Sequence, residues 1–251
     1  MSVEAQMHDR VLVVRIEREE KRNAVDQAIA DGIGAALDRL DDDPELWVGI
    51  ITGTPTVFSA GSDLASSRDG SARTERGGEY GVIRRDREKP LIAAVEGPAL
   101  GGGFEIVLAC DLVVAARTAS FGLPEVKRGL VPTCGGLFRT PRALPLNVAK
   151  EMLLTGERLS PERAYSLGFV NVLTEPGEAV AGALALAARM CAVGPVGARA
   201  SLRALEHTVA ERDELGWDET VIATDAVRAS DDIREGMAAF FEKREPRWTG
   251  K

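Results

Sequence analysis

Histidine is almost missing from this chain: its 251 residues include His8 and His207 and no other. A serine or cysteine nucleophile needs a positioned base, usually histidine. One histidine lies near the start and the other falls in a helical pattern, so both read as solvated residues and triad chemistry is excluded. Cysteine is equally sparse. Cys110, Cys134 and Cys191 are odd in number and far apart, with no CxxC pair and no histidines placed to complete a zinc site. No metal is expected, and a reducing, cytoplasmic compartment is. Positive charge is in deficit, 31 Lys and Arg against 39 Asp and Glu for a net charge of −8, which argues against nucleic acid as a partner because gripping a phosphate backbone needs a basic excess. Long apolar runs are lacking too. Met1 to Arg10 has no basic stretch leading into an apolar one, and the apolar segment from Ala179 to Met190 is alanine-rich and broken by Arg189, so no membrane association is expected.

What remains is ordinary globular composition, 45% hydrophobic and 28% charged, enough for one large domain or a domain with an appendage. The β-branched run Val11 to Ile16 predicts a strand, and apolar residues at three- to four-residue spacing predict a helix from Asn23 to Leu40, closed by Asp41-Asp42-Asp43-Pro44. The alternation recurs: strands at Trp47 to Thr52, Leu91 to Val95 and Leu112 to Ala115, with a short helix from Phe104 to Ala109. That is an α/β core. Ser66 to Lys89 is polar and rich in Arg, Gly and Ser, which predicts a mobile loop flanking a short helix near Tyr80 to Ile83. After Thr140 strand signals fade. Ser160-Pro161-Glu162 marks a helix start and Gly168 a stop, and from Glu178 onward the pattern is largely helical. The expected division is a core over 1–190 and a helical region over 191–251 that packs outside the core or against another subunit.

Three features carry chemistry. Gly101-Gly102-Gly103 follows a predicted strand and opens a helix, but a dinucleotide fingerprint would need a third spaced glycine where Ile106 stands. The run offers uncovered backbone N–H groups at the positive end of a helix, a place for an anion, although tight packing of helix on strand would use the same glycines. Phe58-Ser59-Ala60-Gly61-Ser62-Asp63-Leu64 is a small-residue turn just past a strand; without a base for Ser62, it reads as the source of another N–H. Glu105 interrupts the apolar run Phe104 to Cys110, and Glu125 follows Pro124 among small and apolar residues. Two carboxyls in a partly desolvated site can divide acid and base work, since each ionised group raises the proton affinity of the other.

Together, Phe58 to Leu64, Ile92 to Asp111 and Phe121 to Gly136 resemble the signature segments of the crotonase family, the enoyl-CoA hydratases and isomerases, and the similarity runs from Asn23-Ala24 to the tail Phe241-Glu242-Lys243-Arg244. The resemblance implies a crotonase-type spiral of ββα units with a helical C-terminal region that builds homotrimers, often paired as dimers of trimers. It implies an acyl-CoA substrate and no cofactor beyond its coenzyme A moiety. Carried over by position, Ser62 and Gly102 donate the two N–H groups of an oxyanion hole, Glu105 and Glu125 are the catalytic glutamates, and Ala24, Ala60, Asp63 and Leu64 line the CoA site, with adenine near the backbone of Ala60 and Leu64. The implied activity is hydration of a 2-enoyl-CoA. Double-bond isomerisation or another acyl-CoA lyase reaction is the alternative, and a non-catalytic acyl-CoA binder is disfavoured by retention of both glutamates. Lys243 and Arg244 fit either a CoA phosphate or a solvated helix face, and Cys134 is assigned no role. Thr133-Cys134, Leu137-Phe138, Leu123 and Ser62 depart from the straight-chain hydratase pattern, leaving the acyl group and pathway open.

Overall fold

The computed structural model describes residues 3–65, 72–210 and 213–249. The chain opens with strands β1 (Val3–His8) and β2 (Val11–Ile16), then a 3-10 turn (Glu19–Lys21) and helix α1 (Gln27–Asp42). Strand β3 (Val48–Thr52) leads to the short pair β4 (Arg73–Thr74) and β5 (Gly78–Glu79), followed by β6 (Leu91–Val95), β7 (Pro98–Leu100) and helix α2 (Gly102–Leu108). Next come β8 (Leu112–Ala116), β9 (Ser120–Gly122), a 3-10 helix (Pro124–Arg128), α3 (Gly136–Ala143), α4 (Leu146–Thr155), α5 (Pro161–Ser166) and β10 (Val172–Thr174). Helices α6 (Ala179–Cys191), α7 (Pro195–Ala210), α8 (Asp213–Ala229) and α9 (Asp231–Glu242) complete it.

The main sheet runs in the order β1-β2-β3-β6-β8-β10, antiparallel only between β1 and β2. Strands buried on both faces read as near-continuous apolar runs, which is why Val48–Thr52 and Leu91–Val95 were legible. One face, with Leu12, Val14, Ile51 and Ala93, packs on α1; the other, with Val13, Ile50, Ile92 and Val114, packs on Ala179, Ala183 and Ala187 of α6. After β6 and β8 the chain turns into a second, small parallel sheet, β7 beside β9, extended at its ends by bridges Ser59 to Ala99 and Phe121 to Leu159. This return, β6 to β7 to α2, is the ββα unit of the spiral.

Several expectations shift. The first helix begins at Gln27, four residues late, because Asp26 caps it by accepting from Ile29 N while Asn23 stands buried at φ +53. Asn23 uses its amide to bind the carbonyls of Val57 (2.9 Å) and Phe58 (3.1 Å), so it fastens the small-residue turn and does not start a helix. The polar segment 66–89 is not wholly a loose loop: its described part carries the β4–β5 ladder, and Tyr80 to Ile83 are turns, not a helix. Residues 66–71 lie outside the described ones. Strands β1 and β10 add to the expected elements; β10 is three half-buried residues, too short for alternation to show. The Ser160 cap holds, with its hydroxyl accepting from Arg163 N, and Gly168 ends that turn at φ +81. No single helix among the described residues is long and apolar enough to cross a membrane.

The end of α2 is pinned by charge. Arg87 makes two hydrogen bonds to the Asp111 carboxylate, 2.7 and 3.0 Å, and caps α2 through the Ala109 carbonyl at 2.9 Å. The same carboxylate accepts from Leu91 N at 2.6 Å, locking β6 to the start of β8. Both side chains are about nine-tenths buried, 9% and 10% exposed. Removing one partner of such a pair leaves an uncompensated buried charge, which costs about 3–5 kcal/mol. Asp111→Ala is therefore expected to lower unfolding stability by about that amount, read as a shift in the denaturation midpoint; a loss under about 1 kcal/mol would show that the pair does not hold α2.

Candidate active site

Two backbones nearly touch at the site. Gly61 stands at φ +87 and Gly101 at φ +56, conformations that favour glycine, and a Cβ added to Gly61 would lie 2.6 Å from Gly102 N. The Gly61 turn is held from all sides: Ala60 N donates to Arg22 O (3.0 Å), Val25 N to Gly61 O (2.7 Å), Asp63 N to Val25 O (3.0 Å) and Leu100 N to Ser59 O (2.9 Å). Gly101 N donates to Gly122 O at 2.9 Å, fixing the start of α2 against β9. Among the described residues neither Ser62 N nor Gly102 N donates to a backbone carbonyl. Two uncovered N–H groups on abutting turns, one of them at a helix N-terminus, make a place for a negatively charged oxygen.

Glu105 lies one turn into α2, 2% exposed. Its Oε1 accepts from Cys134 N (2.7 Å) and Gly136 N (2.9 Å), so the segment entering α3 supplies backbone donors to a carboxylate inside the protein. Desolvation pushes the Glu105 carboxyl up to about 7, against the two N–H groups and the nearby Arg139 guanidinium, which favour its ionised form. Glu125 enters from the 3-10 helix after β9, with Oε1 over Gly101, 3.1 Å from where a Cβ on that glycine would stand. Its Oε2 is buried with no hydrogen-bond partner among the described residues. Burial, then the charge of Glu105, push Glu125 up to about 8. Both carboxyls are thus pushed above the ordinary carboxylate range by burial, and only Glu105 has backbone donors among the described residues that favour its ionised form.

The sequence residues therefore meet. The Gly61-Ser62 turn abuts Gly102, Glu125 Oε1 stands over Gly101 and Glu105 lies one turn on in α2; Ala60, Asp63 and Leu64 belong to that turn, and Ala24 lies on the segment that pairs with it at Val25 and Ser62. The Asp63 carboxylate is taken up by Arg18 at 2.9 Å, so that side chain holds the turn. Lys243 and Arg244 border a cleft with Lys127 and Arg128, and Arg244 is paired with Glu235 and Glu242. Three contributors were not foreseen: the backbone of Cys134, which holds Glu105; Arg139, with a buried Nη1 lacking a hydrogen-bond partner among the described residues; and Tyr80, whose hydroxyl meets Ser62 Oγ at 2.6 Å. A signal for the first existed in Cys134-Gly135-Gly136, small residues opening a helix.

A family model described as enoyl-CoA hydratase/isomerase matches residues 6–251. The chain belongs to that family. Its relatives include a carnitinyl-CoA dehydratase of Salmonella heidelberg strain SL476, 39% identical over 96% of this chain and 95% of that one. Among solved structures, a carnitinyl-CoA hydratase from Mycobacterium avium superposes with a TM-score of 0.94 at 39% identity, covering 100% of this chain and 99% of that one. An enoyl-CoA hydratase from Mycobacterium tuberculosis H37Rv, 44% identical with the same coverage, gives 0.80. The crotonase fold of the family is the fold described above, with its mixed α/β core and helical C-terminal region.

The buried pair has a consequence for stability. Glu125 has a folded value of about 8 against an ordinary 4.5, so between those pH values the fold keeps a proton that the unfolded chain has released. Stability is then fully present at low pH and lost as pH rises through that window. Glu125→Gln, which cannot ionise, is expected to unfold later than the parent at pH 9, by at least the roughly 1.4 kcal/mol that a tenfold difference in proton affinity is worth, with the advantage fading by pH 5. Equal melting behaviour of the two proteins across that range would contradict a protonated, desolvated Glu125.

Proposed function

We propose that the protein is an enoyl-CoA hydratase that adds water across the C2–C3 double bond of a 2-enoyl-CoA and, in reverse, dehydrates the 3-hydroxyacyl-CoA. The observation that carries this reading is the unequal pair: Glu105 held by two N–H donors beside Glu125, whose Oε2 is buried and has no partner among the described residues, next to two N–H groups that donate to no backbone carbonyl among those residues. The thioester oxygen sits between Ser62 N and Gly102 N. Ionised Glu105 takes a proton from water as its oxygen bonds to C3, the C2–C3 π electrons move toward the carbonyl, and the oxyanion meets donors already in place. Protonated Glu125 then delivers its proton to C2. The net change is one water added, and the proton taken by Glu105 returns to Glu125 through solvent. Dehydration runs the same steps backwards, which accommodates relatives named for either direction.

Two carboxyls in unequal surroundings suit water chemistry better than isomerisation, for which a single carboxyl can carry one proton from carbon to carbon. The family resemblance further supports a homotrimer or dimer of trimers built through α7 to α9, a cytoplasmic setting, and coenzyme A along Ala24, Ala60, Asp63 and Leu64, with no other cofactor.

Purified protein is expected to bleach the conjugated-thioester absorbance of crotonyl-CoA or another 2-enoyl-CoA, and Glu125→Gln and Glu105→Gln are each expected to lower kcat by roughly 10²-fold or more, the usual contribution of a positioned acid or base. Double-bond migration without net hydration across a panel of straight-chain, branched and ring-bearing enoyl-CoAs would overturn the hydratase reading.

A further inference from the structure

The two N–H groups of the anion hole come from loops far apart in sequence, and one side chain spans them. Tyr80 Oη lies 2.6 Å from Ser62 Oγ. The phenol also lies against the other half: a Cβ on Gly102 would collide with the Tyr80 hydroxyl and stand 2.7 Å from the ring carbon that bears it. Tyr80 is 2% exposed. Its backbone sits at φ +55, a left-handed conformation that is an outlier for a bulky residue and persists only where the surroundings over-determine it.

The surroundings do so. Tyr80 N donates to Ala72 O at 2.8 Å across the base of the β4–β5 hairpin. Gly77 and Gly81 pass so close that a Cβ on Gly77 would overlap the Gly81 carbonyl, and one on Gly81 would lie 2.5 Å from Ala30 O of α1. A Cβ on Gly34 of the same helix would meet Thr74 at 3.0 Å. The turn that presents Tyr80 is thus clamped to α1, whose own N-terminal end follows the strand segment paired with Ser62.

We propose that Tyr80 is a positioning residue for the anion hole: its phenol packs against Gly102 while its hydroxyl bonds Ser62 Oγ, so the two N–H groups keep one separation as negative charge builds on the thioester oxygen. The proposal rests on the hole described above. A phenylalanine would fill the same volume, so the ring alone does not explain the hydroxyl bridge. Donors of this kind act by being already in place, and misplacement of about 1 Å can cost 10²-fold in rate.

Tyr80→Phe removes the bridge from one end and Ser62→Ala from the other, and neither touches a hole N–H. Each is expected to lower kcat about tenfold, less than the 10²–10³ of losing a whole donor, with KM changed by less than about twofold. The double variant is expected to be no slower than the slower single, because both remove one contact. A spectroscopic readout runs beside turnover: a conjugated acyl group such as cinnamoyl-CoA shifts to longer wavelength when its carbonyl is polarised, and that shift is expected to shrink in both variants. Parent-like kcat and parent-like shift in the single variants, or losses that multiply in the double, overturn the proposal. Should one variant fail to fold by thermal melting, the other carries the test. A parent protein that shifts the chromophore without hydrating any substrate sinks the hydratase reading while the variants' shifts still decide the role of Tyr80; a parent that produces no shift has no hole, and the proposal falls with it.

Discussion

Everything at the site depends on the approach of two chain segments at Gly61 and Gly102, where no side chain could stand between them. That contact is fixed by the small second sheet. Ser59 bridges to Ala99 of β7, β7 pairs with β9, and Gly101 is tied to Gly122, so the turn carrying Ser62 and the start of α2 are placed by one continuous run of backbone hydrogen bonds. The buried Asn23 secures the turn from the other side by taking the Val57 and Phe58 carbonyls. A hole built from main chain is as rigid as the sheet that holds it, which is what electrostatic stabilisation without reorganisation requires.

The second constraint is the desolvation of two carboxyls in one space. Buried charge is tolerated where donors compensate it. Glu105 receives two backbone N–H groups and the field of Arg139, whereas Glu125 Oε2 has no partner among the described residues. The two carboxyls thus differ in their surroundings without any difference in residue type, and the proposed division of acid and base work rests on that difference. It also bears on stability: a buried carboxyl held protonated, as Glu125 is by burial, weakens the fold as the solution becomes alkaline.

The fold was legible where local pattern and tertiary environment agree. Strand Val11–Ile16 is apolar because both its faces are buried, and the Ser160-Pro161 helix start is a local cap. Legibility failed where the deciding partner lies far along the chain. Asn23 has ordinary helix-start chemistry, but its partners are the carbonyls of Val57 and Phe58, so the helix waits for Asp26. Tyr80 to Ile83 has helical spacing, yet the Gly77–Gly81 crossing forces turns. At the site, the residues that donate through main chain were found through glycine and small-residue runs, because exposing backbone leaves a compositional trace. Arg139 and Tyr80, which act through side chains brought in by tertiary packing, left none. The spiral itself came from family resemblance, since alternation of strands and helices does not distinguish it from other α/β arrangements.

Main-chain donors also explain how a site can keep its chemistry while its walls change. Cys134 stands where straight-chain hydratases usually carry another residue, yet its N–H reaches Glu105, and an N–H is indifferent to the side chain on its own residue as long as φ and ψ hold. Its side chain is then free to change. A substitution at Cys134 that keeps this backbone conformation leaves the Glu105 cradle in place.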